Sequence, residues 1–186
     1  MNIPNFISID STLNSLIITS NFGRRKKIQI KKYLKSDNFS KDFAQILKKN
    51  FIELSKARLL VVNLGPGSYA GIRNILTCMK VISVIKKIKI IGIFNYDLWK
   101  IVGKKNPTHS KLIMLIGKKF LDITSKHKKL EIEQIDRILS TKKIVSNYEY
   151  SGIFKNNLIP FNYNYKDIEL LIKKKLIVEK NITTKY

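Results

Sequence analysis

The chain has 186 residues, with 36 basic side chains against 13 acidic ones for a formal charge of +23, and 44% of it is apolar. That length suits one domain or two small ones, and the apolar share is enough for a packed core. No apolar run approaches the ~18 residues of a bilayer span. The start, Met1-Asn2-Ile3-Pro4, lacks a basic segment ahead of an apolar one, so no signal peptide and a cytoplasmic location are expected. A single Cys excludes an internal disulfide and a Cys-rich metal site.

Lys supplies 31 of the 36 basic residues and Ile also occurs 31 times, whereas Ala occurs three times. Lys, Ile, Asn and Tyr have A/T-rich codons, so a low-GC genome explains much of the bias. The field exists whatever produced it, and a charge this large favours polyanions at low salt.

In chain order, Phe6, Ile7 and Ile9 run into Asp10-Ser11-Thr12, followed by the short apolar run Leu16 to Thr19. Asn21-Phe22-Gly23 is a turn signal, and Lys26 to Lys32 alternates Ile28 and Ile30 with polar neighbours. Together these predict an antiparallel three-strand meander. Ser36, Asp37 and Asn38 are helix-cap candidates. Phe39, Phe43, Ile46, Leu47, Asn50 and Leu54 then fall on one face, which predicts a helix over about 38–55. Leu59-Leu60-Val61-Val62 is a continuous apolar run of the kind that suits a strand covered on both faces. A second helix over about 71–87, a strand from Ile88 to Phe94 and a helical stretch from Asn95 to Val102 follow. The order βββαβαβα implies an α/β domain with a mixed sheet.

Gly103 to Ser110, with Asn106-Pro107, is the best domain boundary, giving 1–103 and 104–186. Beyond it come a hairpin from Leu112–Ile116 and Phe120–Lys126, a helix near Ile132–Leu139, an Asn- and Tyr-rich stretch over 140–165 without clear period, and a short helix at Lys166–Leu176. No internal sequence repeat stands out.

The Gly-rich loop Gly65-Pro66-Gly67-Ser68-Tyr69-Ala70-Gly71 lies between a strand and a helix, where phosphate cradles form. Ile72 stands where a P-loop needs Lys, and the third Gly comes one residue late for a dinucleotide turn. Pro66 removes an N–H, and no acid occurs over 85–95 to meet a ribose. On spacing alone this is a tight turn. Asp10-Ser11-Thr12 at a strand end reads either as a phosphate-and-metal element or as a turn Asp bonded to its own backbone. His109 and His127 have no metal-ligand spacing, and neither a metal nor a cofactor is expected. Cys78 reads as a structural thiol on an apolar helix.

At about 100° per residue, Ile72, Ile75, Leu76, Cys78, Met79, Val81, Ile82, Val84 and Ile85 cover most of the circle of the second helix. Only a strip with Arg73, Thr77, Lys80 and Lys87 is continuously polar. A helix lying on one sheet is apolar on one side. This one needs cover on two, either from its own second domain or from a partner.

Taken together, Asp10-Ser11-Thr12 and the loop GPGSYAGIR, from Gly65 to Arg73, resemble the bacterial TsaB (YeaZ) family, whose loop is typically GPGSFTGLR. Gly92-Ile93-Phe94-Asn95-Tyr96-Asp97-Leu98 resembles the family's next strand end, and the resemblance spans about residues 5–103 in order and spacing. It implies the actin-like and sugar-kinase-like (ASKHA) fold, with a shortened, diverged second domain. Gly117-Lys118-Lys119 replaces a usual Asp-Ala-Arg segment, and Phe39-Ser40 stands where the family often has His-Ser.

The resemblance further implies a non-catalytic subunit, without cofactor, that pairs with the related TsaD protein through a bundle of the first two helices. TsaE is a further partner, and tRNA is met through the complex, which makes threonylcarbamoyladenosine beside the anticodon. Phe43, Leu47, Ile72, Ile75, Met79 and Ile82 are the candidates for apolar packing or partner contact. Gly65, Pro66, Gly67, Ser68, Tyr69, Gly71 and Arg73 form the motif loop, and Asp10, Ser11 and Thr12 a vestigial phosphate site. Two rivals stand beside this reading: a partner-independent basic RNA-binding protein, and a small ATP-using enzyme of the same fold with Asp10 near the metal.

Overall fold

A computed structural model describes residues 3–12, 15–24, 26–30, 39–105, 110–116, 119–125, 128–146 and 157–173. The cap candidates Ser36 to Asn38, both His residues, Asn106-Pro107, Gly117-Lys118 and the ends of the strand and helix predicted to run to Lys32 and Leu176 lie outside them. The chain forms two compact units, one from residues 1–94 together with 164 onward and one from 95–163. The division therefore falls ahead of the Gly103–Ser110 stretch, and the chain returns to the first unit at its end.

In the first unit, β1 (Phe6–Asp10), β2 (Leu16–Ser20) and β3 (Lys27–Ile30) form the meander, and β4 (Leu59–Asn63) and β5 (Lys89–Ile93) complete a sheet of order β3-β2-β1-β4-β5. β1 pairs antiparallel with β2 and parallel with β4. Strands with this neighbour pattern at the centre are covered on both faces, and every residue of β1, β2 and β4 is buried.

One face carries Ile7, Ile9, Leu16, Ile18, Leu60 and Val62 against α1 (Phe39–Lys49) and α2 (Tyr69–Lys86). The other face carries Ser8 and Thr19, in register with Lys27. There α5 (Tyr165–Lys173) approaches, with Lys26 over the Tyr165 ring at 5.5 Å. Burial lowers the Lys27 amine below its ordinary value, and the charges of Asp167 and Asp10 pull it back up. α5 starts on a reciprocal cap: the Asn164 side chain accepts from the Lys166 N–H and Asp167 accepts from the Asn164 N–H, both at 2.9 Å.

α1 stops at Lys49, short of the predicted end at 55. The Phe51 N–H donates to the Lys48 carbonyl at 3.1 Å and the Ile52 N–H to the Leu47 carbonyl at 3.0 Å. This is the Schellman arrangement, and it needs a left-handed residue, here Phe51 at φ 54°. Leu54–Lys56 forms a separate single turn. α2 ends the same way: the Ile88 N–H meets the Ser83 carbonyl, the Lys87 N–H meets that of Val84, and Lys87 sits at φ 52°. Glycine is the usual occupant of that position, since a side chain there costs roughly 1–2 kcal/mol.

In the second unit, α3 (Asn95–Val102) precedes β6 (Lys111–Ile116), β7 (Lys119–Asp122), β8 (Lys128–Leu130), α4 (Ile132–Thr141), β9 (Ile144–Ser146) and β10 (Leu158–Pro160). Its sheet has the order β10-β9-β6-β7-β8. β6 pairs antiparallel with β7 and parallel with β9, and β9 pairs parallel with β10. Both sheets therefore follow one plan: an antiparallel meander whose first strand is continued by two parallel strands, with a helix between the third and fourth. β9 and β10 lie in the stretch where the sequence shows no period. Ile113, Phe120, Ile135, Leu139 and Ile144 form this unit's core.

Candidate docking face and motif loop

Asp10 ends β1 fully buried. Its Oδ1 accepts from the Thr12 N–H at 2.7 Å, and its Oδ2 accepts from Asn63 Nδ2 at 2.8 Å. Asn63 ends β4, and its Oδ1 accepts from the Gly65 N–H at 3.0 Å. This clasp starts the loop. Gly65 takes φ 98°, which favours glycine, and the Gly65–Pro66 peptide is cis. The Ser68 N–H donates to the Thr12 carbonyl at 3.2 Å. A Cβ on Gly67 would lie 2.4 Å from Thr12 atoms, and one on Gly71 would lie 2.8 Å from the Ser11 carbonyl oxygen. The two sequence motifs therefore meet: the loop lies directly on Ser11 and Thr12. Both carboxylate oxygens of Asp10 hold the unit's own donors, and loop backbone covers Thr12. Among the described residues no group of acids, His or Cys is arranged to hold a metal ion. Asp10 bonds the backbone two residues on, as a turn Asp does, and ties the end of β1 to Asn63.

The loop delivers α2. Ser68 caps it by accepting from the Gly71 N–H at 3.3 Å. Ile75, Leu76 and Met79 then join the core on the sheet, and Ile72, also buried, lies beside Gly65 of the loop. From α1, Phe39, Phe43 and Leu47 join them, with the two Phe rings stacked at 6.0 Å. Ser40 Oγ lies 3.6 Å from Cys78 Sγ, which sets the start of α1 beside the middle of α2.

Of the six residues predicted for packing or contact, Phe43, Leu47, Ile72, Ile75 and Met79 are core. Ile82 alone is half-buried. The exposed apolar residues of α2 are others: Val81 is 52% exposed, Val84 77% and Ile85 69%. They share one side of the helix with Ala70 and the polar Asn74 and Thr77, bounded by Arg73 on one side and half-buried Cys78 on the other. Tyr69 of the motif loop is also exposed. The sequence signals this stripe, as apolar residues on a second side of the helix, but five of the six candidates belong to the packed side.

No family model matches the chain, and no curated protein matches it in sequence. Solved structures do. YeaZ from Pseudomonas aeruginosa matches with a TM-score of 0.50 at 10% identity, over 63% of this chain and 58% of that one. The match thus spans little more than half of the YeaZ chain. A crystal structure described as an uncharacterized protein with similarity to peptidase YeaZ from Pseudomonas aeruginosa matches with a TM-score of 0.57 at 7% identity, over 98% of this chain and 100% of that one. The chain has the YeaZ fold.

Proposed function

We propose that the chain is a non-catalytic TsaB-type subunit of the ASKHA fold, which docks on a TsaD-type protein in the complex that places threonylcarbamoyl on a tRNA adenosine. The observation that carries this is the Val81–Val84–Ile85 stripe, an exposed apolar face on the second of the two helices that cover this side of the sheet. Monomeric surfaces seldom leave such residues contiguous, and interface cores are built from them. The GPGSYAGIR loop and the YeaZ fold support the choice of partner. The chain's part is to complete a helix bundle with the partner's own pair, and Asp10 does no chemistry. TsaE joins through the complex, in the cytoplasm.

The test is co-expression with the TsaD-type protein of the same genome, followed by size exclusion with mass detection. A heterodimer is expected. The double substitution Val84→Lys with Ile85→Lys should abolish it and leave the melting temperature nearly unchanged, because both side chains are exposed. A heterodimer that survives this change places the interface elsewhere. Two separate folded proteins from the unaltered pair would reject the reading.

A further inference from the structure

We propose that the end of the first unit where α1 and α2 terminate binds single-stranded nucleic acid, its exposed cations taking phosphates and Phe51 stacking on a base. Topology collects the cations. β4 runs parallel to β1, so α1 and α2, which each return the chain to the start of a parallel strand, end at the same edge of the unit. Lys48 and Lys49 close α1, Arg58 precedes β4, and Lys86 and Lys87 close α2. All five are exposed. Over residues 39–94, the stretch that carries these cations, the acids are Asp42 and Glu53, while Asp10, Asp37, Asp167, Glu169 and Glu179 belong to the other segments of the unit. Asp42 sits in the first turn of α1, at the other end, and Glu53 is ion-paired to Lys56 at 2.8 Å. A helix C-terminus favours a cation, which accounts for a lysine at each.

Phe51 needs a different account. It is 85% exposed, the most exposed large apolar residue of the described chain, and it follows Lys48 and Lys49 directly. It also holds the left-handed position that glycine fills at least cost. Lys87 holds the equivalent position on α2. Strained backbone carrying an exposed side chain points to use of that side chain. Cations interleaved with an exposed aromatic ring are what a single strand requires, since its backbone is anionic and its bases offer free π-faces. A duplex presents no unstacked base, so Phe51 commits the site to single strands. The site is read on the free chain, because Lys86 and Lys87 directly follow the stripe proposed above for pairing.

The experiment measures fluorescence anisotropy of the full chain with a labelled RNA single strand of about 12 nucleotides and with the corresponding duplex, at about 0.15 M salt. Phe51→Gly should weaken single-strand binding by about tenfold or more and leave duplex binding unchanged. It should also keep or raise the melting temperature, since glycine suits the position, so lost binding cannot be lost fold. Lys86→Glu with Lys87→Glu should cost far more affinity than Lys142→Glu with Lys143→Glu in the second unit, an equal change in net charge. Equal losses from the two charge reversals, or single-strand affinity untouched by Phe51→Gly, would overturn the proposal. So would polyglutamate of matched charge competing as well as unlabelled single strand, which would mark the patch as a seat for an acidic protein.

Discussion

Asn63 joins three segments with one side chain: it donates to Asp10, accepts from Gly65 and closes β4. Asn63→Ala strips a donor from a fully buried carboxyl and frees the loop start. The expected loss is about 1–3 kcal/mol, read as a lower urea midpoint with an unchanged m-value. An unaltered midpoint would mean that the clasp does not hold the loop. Half of this site was legible in the sequence. A turn Asp bonded to its own backbone two residues on is a local pattern, and Thr12 supplies it. The other half was not, because Asn63 is 53 positions from Asp10 and only the parallel pairing of β1 with β4 brings them together. The glycines behaved likewise. A strand–turn–helix loop announces itself, but that Gly67 and Gly71 are required by Thr12 and Ser11 depends on a contact between distant segments.

Among the elements, α2 shows what periodicity resolves and what it leaves open. The wheel shows a helix apolar on two sides, and two sides are what the structure contains: one on the sheet, one in the open. It does not say which side is which, because Ile, Val and Met occupy both. In a chain where Ile occurs 31 times, hydrophobic contrast between faces is weak. The distinction is measurable. Met79 is fully buried, so Met79→Lys places an ammonium among Leu60, Val62 and Ile75. Such a change costs several kcal/mol unless the amine neutralises, and the expected result is unfolding or a large fall in melting temperature. Val84→Lys alone should stay within about 0.5 kcal/mol. Equal stability of the two variants would mean that α2 does not turn its Met79 side to the sheet. The shortened α1 has a similar cause. Asn50 and Leu54 continue the helical spacing, but the Asn50 side chain donates to the Ile46 carbonyl at 2.8 Å and the backbone turns left-handed at Phe51, which side-chain periodicity does not register.

Across the whole molecule, the same strand plan occurs twice without a matching sequence repeat. Backbone topology needs only runs of apolar residues in order, so the two copies are free to differ in every tie. The first unit's tie is the Asp10–Asn63 clasp. The second unit's is Asp122, whose carboxylate is buried at the end of β7. Lys111 Nζ reaches its Oδ2 at 2.7 Å, and its Oδ1 accepts from the Thr124 hydroxyl and N–H and from the Ser125 N–H. Burial pushes this carboxyl up, but the hydrogen bonds from Lys111, Thr124 and Ser125, with the Lys111 charge, outweigh it and hold it below its ordinary value. The depressed value fixes the sign. The folded state keeps the proton off more readily than the unfolded chain does, so the stabilisation is complete above the unfolded value of about 3.9 and is lost as pH falls through the folded one. Asp122→Asn removes the charge yet keeps the shape. It should lower stability at neutral pH by about 1–3 kcal/mol and shrink the further loss on acidification below about pH 4. The measurement is a series of urea midpoints from pH 7 to acid for both proteins. Parallel curves would show that Asp122 titrates alike in the folded and unfolded chain.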